Sequence, residues 1–455
     1  MGDVIIGGGQ GFWGDSNDAA IHMVRRSNIN YMACDYLAEL TLSLMARQKL
    51  KNPKAGYAAD FIGLMKECGK EAFDKKITIL TNAGGMNIGG MVEELGRLSV
   101  EQNLHGLKIG YVLGDEISAD IPRLEAEGIP FQNMDDTGDF KEIKNRIYNA
   151  NVYFGHEPTL ACLKQGANIV ITGRSTDSAL FLAPVMHELG IAADDWDNLA
   201  RGIMAGHLLE CGGQGAGGNF DYGWRDVPRM DELGFPIAEV TGEDMIITKA
   251  PDCGGLITEK SCKEQFLYEV HDPANYITPD VTVDISRATL TQAGDNRVRA
   301  GNIKGKKRPD MLKLSIGYHA GYQVAGMLSF AWPDAYEKAQ YAAEILKKKM
   351  KRKGLQAEEI RVDYIGLNAL HLNVAEISRE LLSNMNEVVM RFAIRTKTKE
   401  EAMKLVPEIA PLQLNGPPGA SFFGGRPKVT EQIGLWPTLI PREAVKLTSH
   451  ILEVP

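Results

Sequence analysis

His207 and Glu210 stand three residues apart, and Cys211 follows at once. On a helix this spacing puts imidazole and carboxylate on one face. Such a pair can serve as a base with its orienting group, or give two ligands to a divalent metal. The adjoining thiol could be a nucleophile. The same residues also occur on ordinary helix faces, and most lone cysteines simply pack. The next stretch, Gly212-Gly213-Gln214-Gly215-Ala216-Gly217-Gly218-Asn219, has no evident structural purpose. Its backbone N–H groups could hold a developing oxyanion, with Gln214 and Asn219 as substrate contacts.

A second constellation is Ile171-Thr172-Gly173-Arg174-Ser175-Thr176-Asp177-Ser178-Ala179. A buried strand runs into a glycine turn, and hydroxyls and a carboxylate open a helix. Arg174 offers a planar, always charged fork for a carboxylate or phosphate. Either it recognises an anionic substrate with Ser175, or it pairs with Asp177 and pins the turn. A third is the strand Val4-Ile5-Ile6 and the run that follows, with five glycines in the eight positions 7–14, then Asp15 and Ser16. Strand, glycine turn and helix N-terminus make a ready anion site. Neither phosphate motif fits. The phosphate-binding loop needs Lys-Ser/Thr where Asp15-Ser16 stands, and Gly9-x-Gly11-x-x-Gly14 sets Asp15 beside the would-be pyrophosphate. A nucleotide loop, a capped turn, and a turn presenting Asp15 as a reactive or metal-binding carboxylate all stay open.

The elements that must position these groups alternate strand and helix. Tyr31–Asp35, Ile77–Leu80, Leu107–Val112, Asn151–Phe154 and Ile169–Thr172 read as strands separated by helices. This predicts an α/β fold with a mostly parallel sheet and flanking helices over residues 1–290. Strand-helix-strand-strand-helix order over 291–455 predicts a smaller α+β domain with split βαβ character. Arg297–Ala300 and Ile303, joined near Gly301-Asn302, read as a hairpin. Asp15, Asp35, Asn82, Asp115, His156, Arg174 and Asp177 all fall near strand ends, which a parallel sheet brings to one ligand-binding edge. The expectation is one cavity shared by Asp15, Arg174, His207 and the 211–219 run. Lys249 reads equally as an anion contact or a surface lysine, and His22 and His187 read as structural.

The 455 residues carry a net charge of −9, which gives no reason to expect nucleic acid as a partner. No apolar run is long enough for a membrane span, and the six cysteines form no CxxC pair. A cytoplasmic protein with free thiols is expected, assembled as a homo-oligomer around a small-molecule substrate.

Several ordered stretches carry a resemblance. They include Gly11-Phe12-Trp13-Gly14-Asp15-Ser16, Gly56-Tyr57-Ala58-Ala59-Asp60-Phe61, Asn82-Ala83-Gly84-Gly85, Gly217-Gly218-Asn219-Phe220 and Tyr276-Ile277-Thr278-Pro279-Asp280. With Gly416-Pro417-Pro418-Gly419-Ala420 near the C-terminus, they make the chain resemble the acyclic terpene utilisation AtuA family over its whole length. The resemblance implies a catabolic enzyme for a small, branched, acidic or CoA-linked substrate. At Gly155-His156-Glu157-Pro158 the family more often has a small residue in place of His156, so no family-wide role falls to that histidine. The predicted activity is of lyase or hydrolase type on a carboxylated or acyl-CoA molecule. His207, Glu210, Asp177 and Cys211 are its catalytic candidates. Gly11, Asp15, Asn82, Arg174, Ser175, Gln214 and Asn219 are its substrate contacts. The alternatives are a metal-dependent enzyme using His207 and Glu210, and a non-catalytic acyl-CoA-binding or scaffold subunit. The sequence requires no cofactor, and a divalent metal stays open.

Overall fold

The computed structural model of the chain describes residues 3–374 and 376–455. Its contacts divide it into two units, one running to Gly317 and including Leu435–Pro455, the other Tyr318–Gly434. This division and the sequence boundary at 290 cut the chain at different places, because the strand Thr289–Gly294 belongs to the main sheet of the first unit.

That sheet has ten strands. Its centre is the parallel set Val4–Gln10, Tyr31–Cys34, Thr78–Thr81, Ile169–Ile171 and Lys108–Leu113, in that spatial order. Outside it, Pro236–Val240, Met245–Lys249, Arg297–Gly301 and Thr289–Gly294 extend one side, and Thr448–Glu453 closes the other, every one antiparallel to its neighbour. The sheet is therefore mixed, with five of nine pairings antiparallel, which corrects the mostly parallel expectation. The reason lies in the connections. Strand–helix–strand crossovers build the centre, whereas three of the outer pairings join segments distant in the chain and the other two are hairpins, whose tight turns can only reverse direction. The turn at Thr241–Asp244 is one, with Thr241 N–H donating to Asp244 O at 2.9 Å.

The predicted hairpin is also moved. Arg297–Gly301 pairs backward with Thr289–Gly294, across a turn in which Asn296 has φ 52°, and Lys304–Lys306 pairs with Thr282–Asp284 in a separate small sheet.

The central strands are buried on both faces, as strands covered by helices on two sides must be. Side-chain alternation sends Ile6, Ala33, Leu80 and Val170 to one apolar core and Met32, Ile79, Ile109 and Ile171 to the other. The first core also takes Leu199, Ile203, Met204 and Leu208 from the helix Trp196–Leu209, whose N-cap Asp195 accepts from Asn198 N–H. That helix delivers His207, Glu210 and the glycine run against the first strand. A Cβ at Gly8 would stand 2.6 Å from Leu209 O. Because backbone cannot yield as a side chain can, Gly8→Ala is expected to cost about 1–3 kcal/mol. A lower denaturant-unfolding free energy than wild type would check this; an unchanged one would refute it.

In the second unit, Glu359–Ile365, Glu387–Thr396, the Tyr322–Ala331 part of the strand Met311–Ala331, and Ala420–Phe422 form an antiparallel sheet in that order. The helix Ala335–Arg352 packs on it through Ala339, Ala342, Leu346 and Met350. Chain order and strand order together are those of a split βαβ unit.

Candidate active-site cleft

The first loop is closed by its own carboxylate. Asp15 Oδ2 accepts from Gly11 N–H at 3.0 Å and Oδ1 accepts from Ser16 N–H at 2.8 Å. Ser16 Oγ accepts from Asp18 N–H and caps the helix Asn17–Arg26. Donors that would bind a phosphate are thus already occupied by Asp15, which removes support for the nucleotide reading. The glycines serve close packing instead. A Cβ at Gly11 would lie 2.6 Å from the carbonyl carbon of Cys211, so the two glycine-rich segments touch backbone to backbone.

Beside this contact opens a cleft of about 860 Å³. Gly11, Asp15, Cys211, Gln214 and Asn219 lie on its wall, with Phe12, Met230, Leu233, Phe235 and Tyr268 as its apolar surface. His22, read from sequence as structural, also lines it while its ring nitrogen Nε2 meets Pro251 O at 2.6 Å. The charged wall residues are Asp15, Asp18, Asp231, Glu232 and Asp252; no Lys or Arg is among the lining residues. A side hollow of about 60 Å³ shares Gln214, Gly218, Asn219 and Tyr268 with the cleft and adds Ser261, Glu264 and Gln265.

Burial raises the carboxyl pKa of half-buried Asp15, opposed by the two N–H groups that it accepts. An elevated carboxyl on a cleft wall is a candidate acid or base. Burial also pushes the Cys211 thiol well up, and the charge of Glu210 adds to this. A thiol held protonated is a poor nucleophile, so the environment disfavours the role expected of Cys211.

Behind the cleft lies the predicted pair. His207 Nδ1 and Glu210 Oε1 are 3.0 Å apart, both side chains are buried, and the imidazole packs on Tyr276 with ring centroids 5.4 Å apart. His207 Nε2 and Glu210 Oε2 are buried with no hydrogen-bond partner among the described residues. Burial raises the Glu210 carboxyl, with the hydrogen bond to His207 opposing. A chain of amides ties the pair to the cleft. Asn219 Nδ2 donates to Gln214 Oε1 at 3.1 Å, Gln214 Nε2 to Gln265 Oε1 at 2.9 Å, and Gln265 Nε2 to His207 O at 2.9 Å.

The parallel strands bring Asp35, Asn82 and Arg174 to one edge, as expected of them. Asn82 donates from Nδ2 to Asp35 Oδ1 at 2.6 Å and accepts at Oδ1 from Tyr36 N–H at 2.7 Å. Arg174, 3 % exposed, pairs with Asp177, donates to Ser175 O at 2.9 Å and lies 4.0 Å over the Tyr153 ring. The ion pair of the turn-pinning reading is formed, and Arg174 Nε is buried with no hydrogen-bond partner among the described residues. Asp35 is raised well above 3.8 by burial and by the charge of Asp177, with Arg174 opposing. Asn82, Arg174, Ser175, Asp177, His207 and Glu210 are not among the residues that line this cleft; behind it, burial and the charge of Asp177 raise both the Asp35 and the Glu210 carboxyl.

Asp115 and His156 have other work. Asp115 accepts from Arg174 N–H at 2.8 Å and from Asn151 Nδ2 at 2.9 Å, and His156 Nδ1 meets Asp280 Oδ1 at 2.7 Å. Lys249 Nζ donates to Cys253 O at 2.9 Å. Among the described residues no group of three His, Cys, Asp or Glu side chains is placed to hold a metal ion. Sequence reading missed Tyr153, Gln265, Tyr268 and Lys313, which pairs with Glu39 at 2.9 Å; Glu39 stands in the Asp35–Glu39 stretch that shares the family resemblance. Tyr276 and Asp280 stand in the Tyr276–Asp280 stretch that carries it too.

A family model described as acyclic terpene utilisation family protein AtuA matches residues 4–451. No curated protein matches the chain. Among solved structures, the de novo designed protein Ferredog-Diesel is similar at 20 % identity over 25 % of this chain and 88 % of that one, with a TM-score of 0.15.

Proposed function

The chain belongs to the acyclic terpene utilisation family AtuA, and from that premise we propose that it is an enzyme of lyase or hydrolase type whose reaction takes place in the Asp15 cleft. The family gives the role, acyclic terpene utilisation; the reaction type is our reading. The observation that carries it is the position of Asp15. Its carboxyl lies on the wall of a ligand-sized cleft, is oriented by two backbone N–H groups, and has a pKa raised by burial. Gln214 and Asn219 supply polar contacts, while Phe12, Met230, Leu233 and Phe235 receive an apolar chain. The His207–Glu210 pair sits one layer back and would hold the Cys211–Asn219 segment and its proton balance.

The cleft wall also narrows the substrate. A free carboxylate would meet Asp15, Asp18, Asp231 and Asp252 with no Lys or Arg among the lining residues to balance it, the charge of Glu232 being already taken by Arg229. The part of the substrate that enters is therefore uncharged: the acyl arm of a thioester, or a neutral acyclic chain. The test is to incubate the full chain with acyclic terpenoid thioesters, alcohols and free acids, and to follow products by mass spectrometry. Gain or loss of water, or chain cleavage, with a neutral or thioester substrate supports the reading. Turnover confined to free acids, or turnover that is unchanged when Asp15 is replaced, overturns it.

A further inference from the structure

The unit Tyr318–Gly434 has a hollow of its own, of about 630 Å³, far larger than side-chain packing requires. Its wall is built from Met327, Val406, Ile409, Phe422 and Phe423, together with prolines and the Gly424-Gly425-Arg426 turn. The strand Ala420–Phe422 ends here, and Gly424, at φ 74°, reverses the chain so that Arg426 returns to the hollow. Phe422 and Phe423 are 58 % and 49 % exposed, an unusual cost for two adjacent aromatic rings in water.

Charge distinguishes this hollow from the cleft. Arg426 is the one ionised side chain among the lining residues, and no Asp or Glu is among them. Glu408, next to the lining residues Pro407 and Ile409 in sequence, is already paired with Lys349 and Lys353. Arg426 has no ion-pair or hydrogen-bond partner among the described residues. An apolar chamber with one unneutralised guanidinium at its edge is complementary to an amphiphile with one negative end. Guanidinium and carboxylate match as two parallel N–H···O bonds, and the apolar wall covers a hydrocarbon tail. A hollow of this size falls within the range that takes small organic ligands whole.

We propose that this hollow, with Phe422, Phe423 and Ile409 around the tail and Arg426 at the head, is a binding site for an aliphatic carboxylate. It stands independently of the cleft, whose acidic wall suits an uncharged chain and not a carboxylate.

The experiment is calorimetric titration of the full chain with decanoate, below its micellar concentration, and with decanol as the uncharged counterpart. Decanoate is expected to bind the wild-type chain at one site, and decanol about tenfold more weakly. Arg426→Ala should bring decanoate to the level of decanol, Arg426→Lys should restore part of the difference, and Phe423→Ala should weaken both ligands alike. Asp15→Asn should change neither, which keeps this outcome separate from the fate of the cleft reading. Absence of decanoate binding, equal affinity for acid and alcohol, or decanoate binding indifferent to Arg426→Ala would each overturn the proposal. Arg426 is exposed and unpaired, so its replacement leaves the fold intact; unchanged thermal unfolding of the variant checks that.

Discussion

Asp15→Asn is expected to lower turnover about a hundredfold or more, with KM changed by no more than a few fold. A positioned acid or base contributes about 10²–10⁴ to rate, and the amide has the carboxyl's shape without its proton chemistry. The structural side of the substitution is small by comparison. One of the two N–H bonds from Gly11 and Ser16 can still be accepted by the amide oxygen, and losing the other costs about 1 kcal/mol. The pH profile separates the two effects. Burial sets the Asp15 pKa above its ordinary 3.8. A base must be ionised, so wild-type kcat/KM should climb as pH rises through that elevated value. The limb should be missing from Asp15→Asn. In stability the same shift has the opposite sign: a carboxyl raised by folding contributes below its unfolded pKa, and that contribution fades as pH rises through the folded one. A rate that climbs with pH therefore cannot be a by-product of stability. Full activity in the variant, or an unchanged limb, would remove Asp15 from the chemistry.

What the sequence disclosed and what it withheld divide along physical lines. Apolar runs such as Ile169–Ile171 and Tyr31–Cys34 read as strands because both faces are buried, and their order with the intervening helices was enough to place Asp35, Asn82 and Arg174 on one edge. The His207–Glu210 contact followed from helical spacing alone. Two matters were not legible. Glycine reports that a backbone comes close to something, without saying to what; in the first loop the neighbour is Leu209–Gly212 and not a ligand. A charged residue likewise reports chemistry only if it meets solvent. Arg174 and Asp177 face each other beneath Tyr153, and that arrangement depends on residues more than twenty positions away. The antiparallel flank escaped for a similar reason, since the pairing of Pro236–Val240 with the first strand spans more than two hundred residues.

Arg174→Met carries the largest expected stability effect, a loss of about 3–5 kcal/mol, the usual result of taking one partner from a buried charge pair. The guanidinium is 3 % exposed and holds Asp177 and Ser175 O while lying over Tyr153. Its field reaches further. Burial would raise the Glu39 carboxyl, yet Arg174, the hydrogen bond with Tyr153 and Lys313 outweigh it and hold the group down to about 2. Arg174 also opposes the rise of Asp35. Removing it leaves buried Asp35 beside the charge of Asp177 without the opposing guanidinium, and leaves Glu39 with Lys313 and Tyr153 alone of its three supports. A carboxyl lowered by folding stabilises the protein above its unfolded pKa, near 4.5 for Glu39, and the benefit is lost as pH falls toward the folded value. The deficit of Arg174→Met should therefore be greatest at neutral pH and shrink on acidification through 4.5. Denaturant unfolding at several pH values reads this directly. Arg174→Lys keeps the charge but not the planar fork, so it should recover only part of the loss. Because Arg174 lies off the cleft wall, ligand affinity in the folded variant should match wild type. A stable variant that has lost its ligand would instead return Arg174 to the role of anion contact and move the binding site to the strand edge.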